Sequence, residues 1–310
     1  MATVSGILSV PPHYQTAFDD NWREIMAQQL EHRLAGKYVL DSNIPGNQKR
    51  YDQVGAQSYA MRQITARAQR SEPSDIPNFF RWVRPRPFDK TTWIGEHDHI
   101  LLGSLPDPQG ITTKNHAIAV DRLKDQLLIN AGLGTCYTGS AGTTATTLPS
   151  AQQVAVNDTS AGASGPNTGL TLYKMTKASY ILDTADVKDT DRVFVYAARQ
   201  LNNLLTNVDQ VSNVLYNDVK ALFDGKIDQF MGFKFIRTQL LPTTTTVGGV
   251  RTCMAYQKDY LLLGIGENMK TRIDILPDNS HAVQVRTVIL ADATRLEEQG
   301  VVSILSDESV

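Results

Sequence analysis

Phe223-Asp224-Gly225-Lys226-Ile227, Phe230-Met231-Gly232-Phe233-Lys234-Phe235-Ile236 and Leu240-Leu241-Pro242 open the part of the chain whose reading decides the fold. After a polar interruption come Ala255-Tyr256-Gln257-Lys258, Leu261-Leu262-Leu263-Gly264, Ile275-Leu276-Pro277-Asp278 and Val283-Gln284-Val285-Arg286. The run closes with Asp292-Ala293-Thr294-Arg295-Leu296-Glu297-Glu298 and Val301-Val302-Ser303-Ile304. Ile273 and Ile275 alternate with polar neighbours, as do Val283 and Val285, and Leu276-Pro277-Asp278-Asn279 between them reads as a turn. The segment is strand-rich, and no part of it holds a catalytic constellation.

Upstream, helices and strands mix. Leu170 to Leu182 reads as a helix, Arg192-Val193-Phe194-Val195-Tyr196 as a strand, Leu201 to Leu205 as a helix, and Val214 to Phe223 as another, stopped by Gly225. The strongest helix follows Asp107-Pro108. Val120, Leu123, Leu127 and Ala131 share its face, with Ala117 and Leu128 at the margin. Asp121-Arg122 and Lys124-Asp125 are expected to face solvent, and Gly132 and Gly134 end the helix. Residues 138–169 are rich in Gly, Ala, Ser and Thr and read as loops, with only Gln153 to Val156 resembling a strand. This mixture indicates an α+β fold.

The first hundred residues differ. Tyr14, Phe18, Trp22, Ile25, Met26, Leu30 and Leu34 recur at helical spacing before Gly36, so residues 14–34 form an amphipathic helix that must pack on its own core or on a neighbour. From Lys37 to about Leu102 that periodicity vanishes and Pro- and Gly-marked turns take over, with short strands expected at Thr91–Ile94 and His99–Leu102. Between Pro45 and Lys90 stand nine basic residues (Lys49, Arg50, Arg62, Arg67, Arg70, Arg81, Arg84, Arg86, Lys90) against Asp52, Glu72, Asp75 and Asp89, a net charge of +5. So long a stretch with so little apolar material cannot build its own core. It is either a solvated insertion or an extended arm that orders on another subunit.

Composition narrows the function class. The 310 residues are 41% hydrophobic and 20% charged, ordinary for a globular protein, and a net charge of −2 gives no general pull toward nucleic acid. Two cysteines, Cys136 and Cys253, are too few for a disulfide framework. No export signal or membrane-length apolar run is evident, so a soluble, unexported protein without a membrane partner is expected.

Candidate chemistry is thin. His97 and His99 share a strand face beside Glu96 and would reach one metal ion, but no third ligand has a motif spacing, and a polar hairpin explains them better. Gly132-Leu133-Gly134 and Gly264-Ile265-Gly266 lack the further glycine and acid of a dinucleotide site. Ser164 lacks a nucleophile elbow, and Cys136 has no local histidine base. No catalytic, metal or cofactor site is expected.

The ordered blocks from Leu222 onward resemble the C-terminal half of tailed-bacteriophage major capsid proteins of the Hong Kong 97 type. Arg81-Trp82, the Asp107-Pro108 entry, and Asp125-Gln126-Leu127-Leu128-Ile129 followed by Gly134-Thr135 match the same family. The resemblance covers approximately Phe80 to Ser306. It implies an N-terminal arm at 1–36, an extended loop at 37–102 and a spine helix at 103–135. A connection at 136–169, an axial domain at 170–250 and a returning peripheral sheet at 251–310 would follow. It further implies pentamers and hexamers of an icosahedral head, with hinges beside Gly132 and Gly134. The implied partners are other copies of the chain, a separate scaffolding protein, a portal protein and packaged double-stranded DNA contacted non-specifically. The interface candidates are Tyr14, Phe18, Trp22, Arg62, Arg67, Arg70, Arg81, Arg84 and Arg86. An encapsulin-type shell around protein cargo uses the same fold, and a soluble α+β enzyme with a long lid is the alternative of another class.

Overall fold

A computed structural model describes residues 34–54, 63–70, 77–95, 108–159, 165–207, 229–244 and 249–309. The expected helix over 14–34 (Leu34 apart), the strand at 99–102 and the helix over 214–223 lie outside them. The described chain runs β1 (Leu40–Asn43), β2 (Lys49–Val54), β3 (Asn78–Val83), β4 (Arg86–Ile94), α1 (Pro108–Leu133), β5 (Cys136–Thr138), β6 (Thr144–Thr146) and β7 (Gln153–Val154). It continues through α2 (Leu172–Thr184), β8 (Arg192–Tyr196), α3 (Ala198–Asn207), β9 (Gln229–Phe230), β10 (Phe233–Arg237) and β11 (Thr243–Thr244). Four strands complete it: β12 (Val250–Gln257), β13 (Leu261–Leu276), β14 (Ala282–Arg295) and β15 (Val301–Asp307).

The chain divides into a larger unit (Leu30–Asp89, Ile118–Lys270, Val288–Val310) and a smaller one that holds Lys90–Ala117 and Thr271–Thr287. The larger unit's core is a seven-stranded sheet in the order β7-β15-β12-β8-β10-β9, with β11 on β12. Every residue of β8 is buried, because β10 flanks it in parallel and β12 antiparallel, leaving no free edge. Phe194 of β8 pairs with Phe235 of β10, and their rings stack at 5.1 Å between centroids. Arg192 fits in this apolar strand because its guanidinium donates to Val187 O at 2.6 Å and pairs with Asp183 at 2.7 Å. α2 lies against β15 and β7.

Two departures from the sequence reading concern connectivity. A boundary near residue 250 was expected to separate an axial domain from a returning sheet. Instead β12 and β15 pair with each other over seven residues, Val250↔Asp307 to Tyr256↔Val301, and β12 continues onto β8. The two segments therefore share one sheet. Within the expected loops of 138–169, β5 and β6 form a hairpin, Cys136↔Thr146 to Thr138↔Thr144, that extends the β2-β3 pair into a four-stranded sheet. Gly139 and Gly142, at φ of 85° and 67°, make its turn.

α1 begins at Pro108, whose missing N–H costs nothing at a first helical position. Leu128 and Ile129 are its most deeply buried apolar residues, while Leu123 and Leu127 are half-buried against Phe88, Ile289 and Ala291. The most buried stripe thus runs through Leu128, not along its margin. Asp125 also contradicts the expected solvent face: it is 2% exposed and accepts from the N–H groups of Leu34 and Ala35 at 3.0 and 3.1 Å. A buried carboxylate here anchors the backbone at Leu34 and Ala35 to the helix. At the helix end, Gly132 sits where a Cβ would fall 2.3 Å from Met254 Sδ, and Arg295 takes the carbonyls of both Gly132 and Gly134. The expected hinge is a close-packed, capped terminus.

In the smaller unit a polar chain crosses four elements. Thr92 of β4 bonds His116 Nε2 at 2.8 Å, His116 Nδ1 bonds Thr287 at 3.0 Å, and Thr287 bonds Thr271 at 3.0 Å. Burial, and then the charge of Lys90, hold the imidazole pKa below its usual 6.5. Between the folded value and 6.5 the unfolded chain binds more protons, so stability is lost as pH falls through that window. The denaturation midpoint of the native chain should drop more between about pH 7.5 and about pH 5.5 than that of His116→Gln. Equal drops in the two proteins would remove His116 as the acid-sensitive group.

Candidate assembly interface

β2 and β3 are the foot of the long segment that was expected to reach outward. They pair antiparallel from Lys49↔Val83 to Val54↔Asn78, and Trp82 joins them to Tyr137 of β5. The inner end is anchored: Val83 is fully buried with Ile44 and Leu262. The outer end is not, since Val54 and Phe79 are 71% and 57% exposed. Beyond it, residues 63–70 are mostly exposed and Ile64 is 79% so. The hydrogen bonds recorded for that turn among the described residues are internal, from Thr65 to Gln69 Oε1, with the backbone N–H at 3.1 Å.

The arginines singled out from the sequence separate into three environments. Arg67 and Arg70 are exposed on that turn. Arg81 is 7% exposed, and its Nη2 pairs with Glu298 Oε2 at 2.6 Å; it is an internal strut, so its selection as an interface residue is corrected. Arg84 is half-committed: Nη2 donates to Gly142 O at 3.0 Å, and the guanidinium stacks over Tyr137 and Trp82 at 5.5 and 5.9 Å. Arg86 keeps its side chain 71% exposed, 3.8 Å from Asp292. Burial pushes the Asp292 carboxyl above the usual carboxylate range, against the Arg84 N–H, which it accepts at 3.1 Å. Tyr14, Phe18, Trp22 and Arg62 lie outside the described residues.

No group of three potential metal ligands occurs among the described residues, and His97 and His99 lie outside them. Cys136 and Cys253 are buried free thiols, and burial pushes Cys253 up to about 12, far from a reactive thiolate. No described helix is long and apolar enough to cross a membrane. What the residues build is a braced foot carrying an uncovered, basic and partly apolar extension.

A family of phage capsid proteins matches residues 10–308. The chain belongs to that family. It is a capsid shell protein, a component of the virion, with the Hong Kong 97-type α+β fold. A chain of the capsid of Ralstonia phage GP4 superimposes with a TM-score of 0.69 at 10% identity, covering 99% of this chain and 98% of the other. One from the capsid of the cyanophage P-SCSP1u gives 0.67 at 12% identity, covering 94% and 92%. The encapsulin of the holo-SrpI complex from Synechococcus elongatus gives 0.56 at 8% identity, covering 88% and 86%. No curated protein sequence matches. At such identities the phage capsid fold is held by burial pattern and strand order, with few shared side chains.

Proposed function

We propose that this capsid protein assembles into pentamers and hexamers that close an icosahedral head around double-stranded DNA. The observation that carries the reading is the foot of β2 and β3, anchored at Val83 and Arg81 yet ending in exposed Val54, Phe79 and Ile64. Apolar residues at the end of a braced ribbon gain burial only against another subunit. Rotational closure of such head-to-tail contacts gives rings, and several contacts per subunit strengthen the shell by avidity.

On this reading residues 1–36 are an N-terminal arm, 37–102 the extended loop and 103–135 the spine helix, with 136–169 a connection. Residues 170–250 belong to the axial domain and 251–310 to the returning peripheral part. Tyr14, Phe18, Trp22, Arg62, Arg67, Arg70, Arg84 and Arg86 are the interface candidates. A scaffolding protein and a portal are further partners, and assembly takes place in the host cytoplasm. The family match favours DNA over the protein cargo of an encapsulin.

Removing 45–90 would take Val83 out of the core, so the arm is better tested by joining Val54 to Pro77 through a short glycine turn. Electron microscopy of the native chain with its scaffold should show closed shells. The shortened chain should stay folded and soluble and form none. Normal shells from it would end the arm's role.

A further inference from the structure

We propose that the cleft at the foot of the arm is the receptor for the 63–70 turn of a second copy of this chain. The inference rests on the shell reading above and names the contact through which neighbouring subunits engage.

The cleft has a volume of about 740 Å³ and lies between the outer end of β2 and β3, the turn after α2, and the 297–299 turn before β15. Its apolar wall is Val54, Phe79 and Tyr260, and its acids are Asp186, Glu297 and Glu298. Glu298 is spent on Arg81. Asp186 and Glu297 are exposed at the mouth, which leaves two carboxylates facing outward. The field of Glu297 is felt locally: burial first, then Glu297 and Asp259, push the Tyr260 phenol above its ordinary range.

The turn is the complement of that surface. Gln63-Ile64-Thr65-Ala66-Arg67-Ala68-Gln69-Arg70 has two positive charges, no acid, and one large aliphatic side chain. Ile64 is 79% exposed, and both arginines are exposed. Two cations and an isoleucine therefore match two carboxylates and a wall of valine, phenylalanine and tyrosine. Among the described residues nothing covers the socket or the turn. A rotation that brings the turn of one copy to the socket of the next satisfies both in every subunit of a closed ring. Opposite charge would orient the encounter, and apolar burial would hold it.

The test combines charge exchange with crosslinking in the full-length chain. Asp186→Lys with Glu297→Lys, at exposed positions, should leave the chain folded, with only a small drop in melting temperature from a lysine at the left-handed φ of 54° of residue 186. The critical subunit concentration for shell formation should rise about tenfold, the effect of two ion pairs of ordinary surface strength. Arg67→Glu with Arg70→Glu should raise it similarly, and the four changes together should restore assembly. For the geometry, Glu297→Cys chains are mixed with Arg67→Cys chains and oxidised. A covalent dimer should appear in assembled particles and not in free subunits; the native thiols are buried and stay silent. Shells that tolerate the reversed socket, or no compensation by the four-fold variant, would overturn the proposal. So would a crosslink within one chain when both cysteines are placed together in free subunits. If the native chain itself forms no shells with its scaffold, the function reading fails, a result distinct from any of these.

Discussion

Arg295→Met is expected to lower unfolding free energy by about 3–5 kcal/mol, the range for breaking one side of a buried charge network. Arg295 has no exposed surface. Its Nη1 donates to Gly132 O at 2.7 Å and to Ala131 O and Gly134 O at 3.2 Å each. These are carbonyls at the end of α1, where a helix runs out of intrahelical donors and its dipole is negative. One guanidinium thus caps the helix and neutralises its end. The same residue's N–H donates to Cys136 Sγ at 3.3 Å, tying β14 to the strand that follows the helix. Methionine fills much of the volume but takes the guanidinium donor from Gly132 O and Gly134 O, leaves Ala131 O with only the weak Cys136 thiol at 3.5 Å, and leaves Glu298 with one cation fewer. Lysine should recover only part of the loss, because an ammonium on a flexible stem lacks the planar fork. Urea denaturation measures the difference, and hydrogen exchange should show α1 fraying first at residues 128–134. A loss below about 1 kcal/mol for methionine would mean the carbonyls find other donors and the cap is dispensable.

How far the sequence carried this result depends on whether each feature is local. α1 was legible because Asp107-Pro108 and Gly132-Leu133-Gly134 bracket an apolar stripe. β8 was legible because Val193-Phe194-Val195-Tyr196 is β-branched and aromatic throughout; α2 read as a helix over 170–182, and the structure adds its cap, Thr171 accepting from Lys174 N at 3.3 Å. The β5–β6 hairpin was not, since threonine and alanine carry no alternation that marks a core face. Nor was the shared sheet: β12 meets β8 and β15 through pairings far apart in sequence, which short-range patterns do not encode. Charged residues misled most. Asp125 sat among Arg122 and Lys124 like any solvent-facing acid, and only the backbone of Leu34 and Ala35 arriving beside it made burial favourable. Arg81 looked like its exposed neighbours until Glu298, 217 residues away, came within 2.6 Å. For the assembly site the limit is of another kind. The sequence displayed a basic arm, but the surface that answers it is built from residues near 54, 79, 186 and 297, which only the folded chain brings together.

Lys174→Met should cost at least about 3 kcal/mol, and its cause is the same physics in a harsher setting. The lysine is fully buried, and Nζ donates to Val156 O and Thr168 O at 2.8 Å, Leu305 O at 2.9 Å and Gly169 O at 3.0 Å. Three N–H groups serve four carbonyls from α2's preceding loop, the 156 region and β15. The ammonium thus adds a charged tie between segments that the Thr168 backbone also joins, through Val156 O at 3.0 Å and Asp307 N at 3.1 Å. Burial lowers its pKa to about 8, so the side chain is still protonated at neutral pH. The acids around it are otherwise engaged: Asp158 is paired with Lys177, and Asp307 accepts from Ser309 at 2.6 Å. Methionine keeps the length and loses every donor: Val156 O keeps the Thr168 N–H and Thr168 O keeps the Asp307 N–H, but Gly169 O and Leu305 O lose the ammonium. That state is worse than an apolar site of the same shape, because the acceptors remain desolvated. Two readouts separate this account from simple packing loss. Residues 156–169 should become protease-sensitive before the rest of the chain unfolds, and Lys174→Ala should regain midpoint when methylammonium is added, since the cage then holds a free cation. Methionine tolerated within about 1 kcal/mol, or alanine indifferent to methylammonium, would show that packing around α2 and β15 holds the loop and the ammonium is incidental.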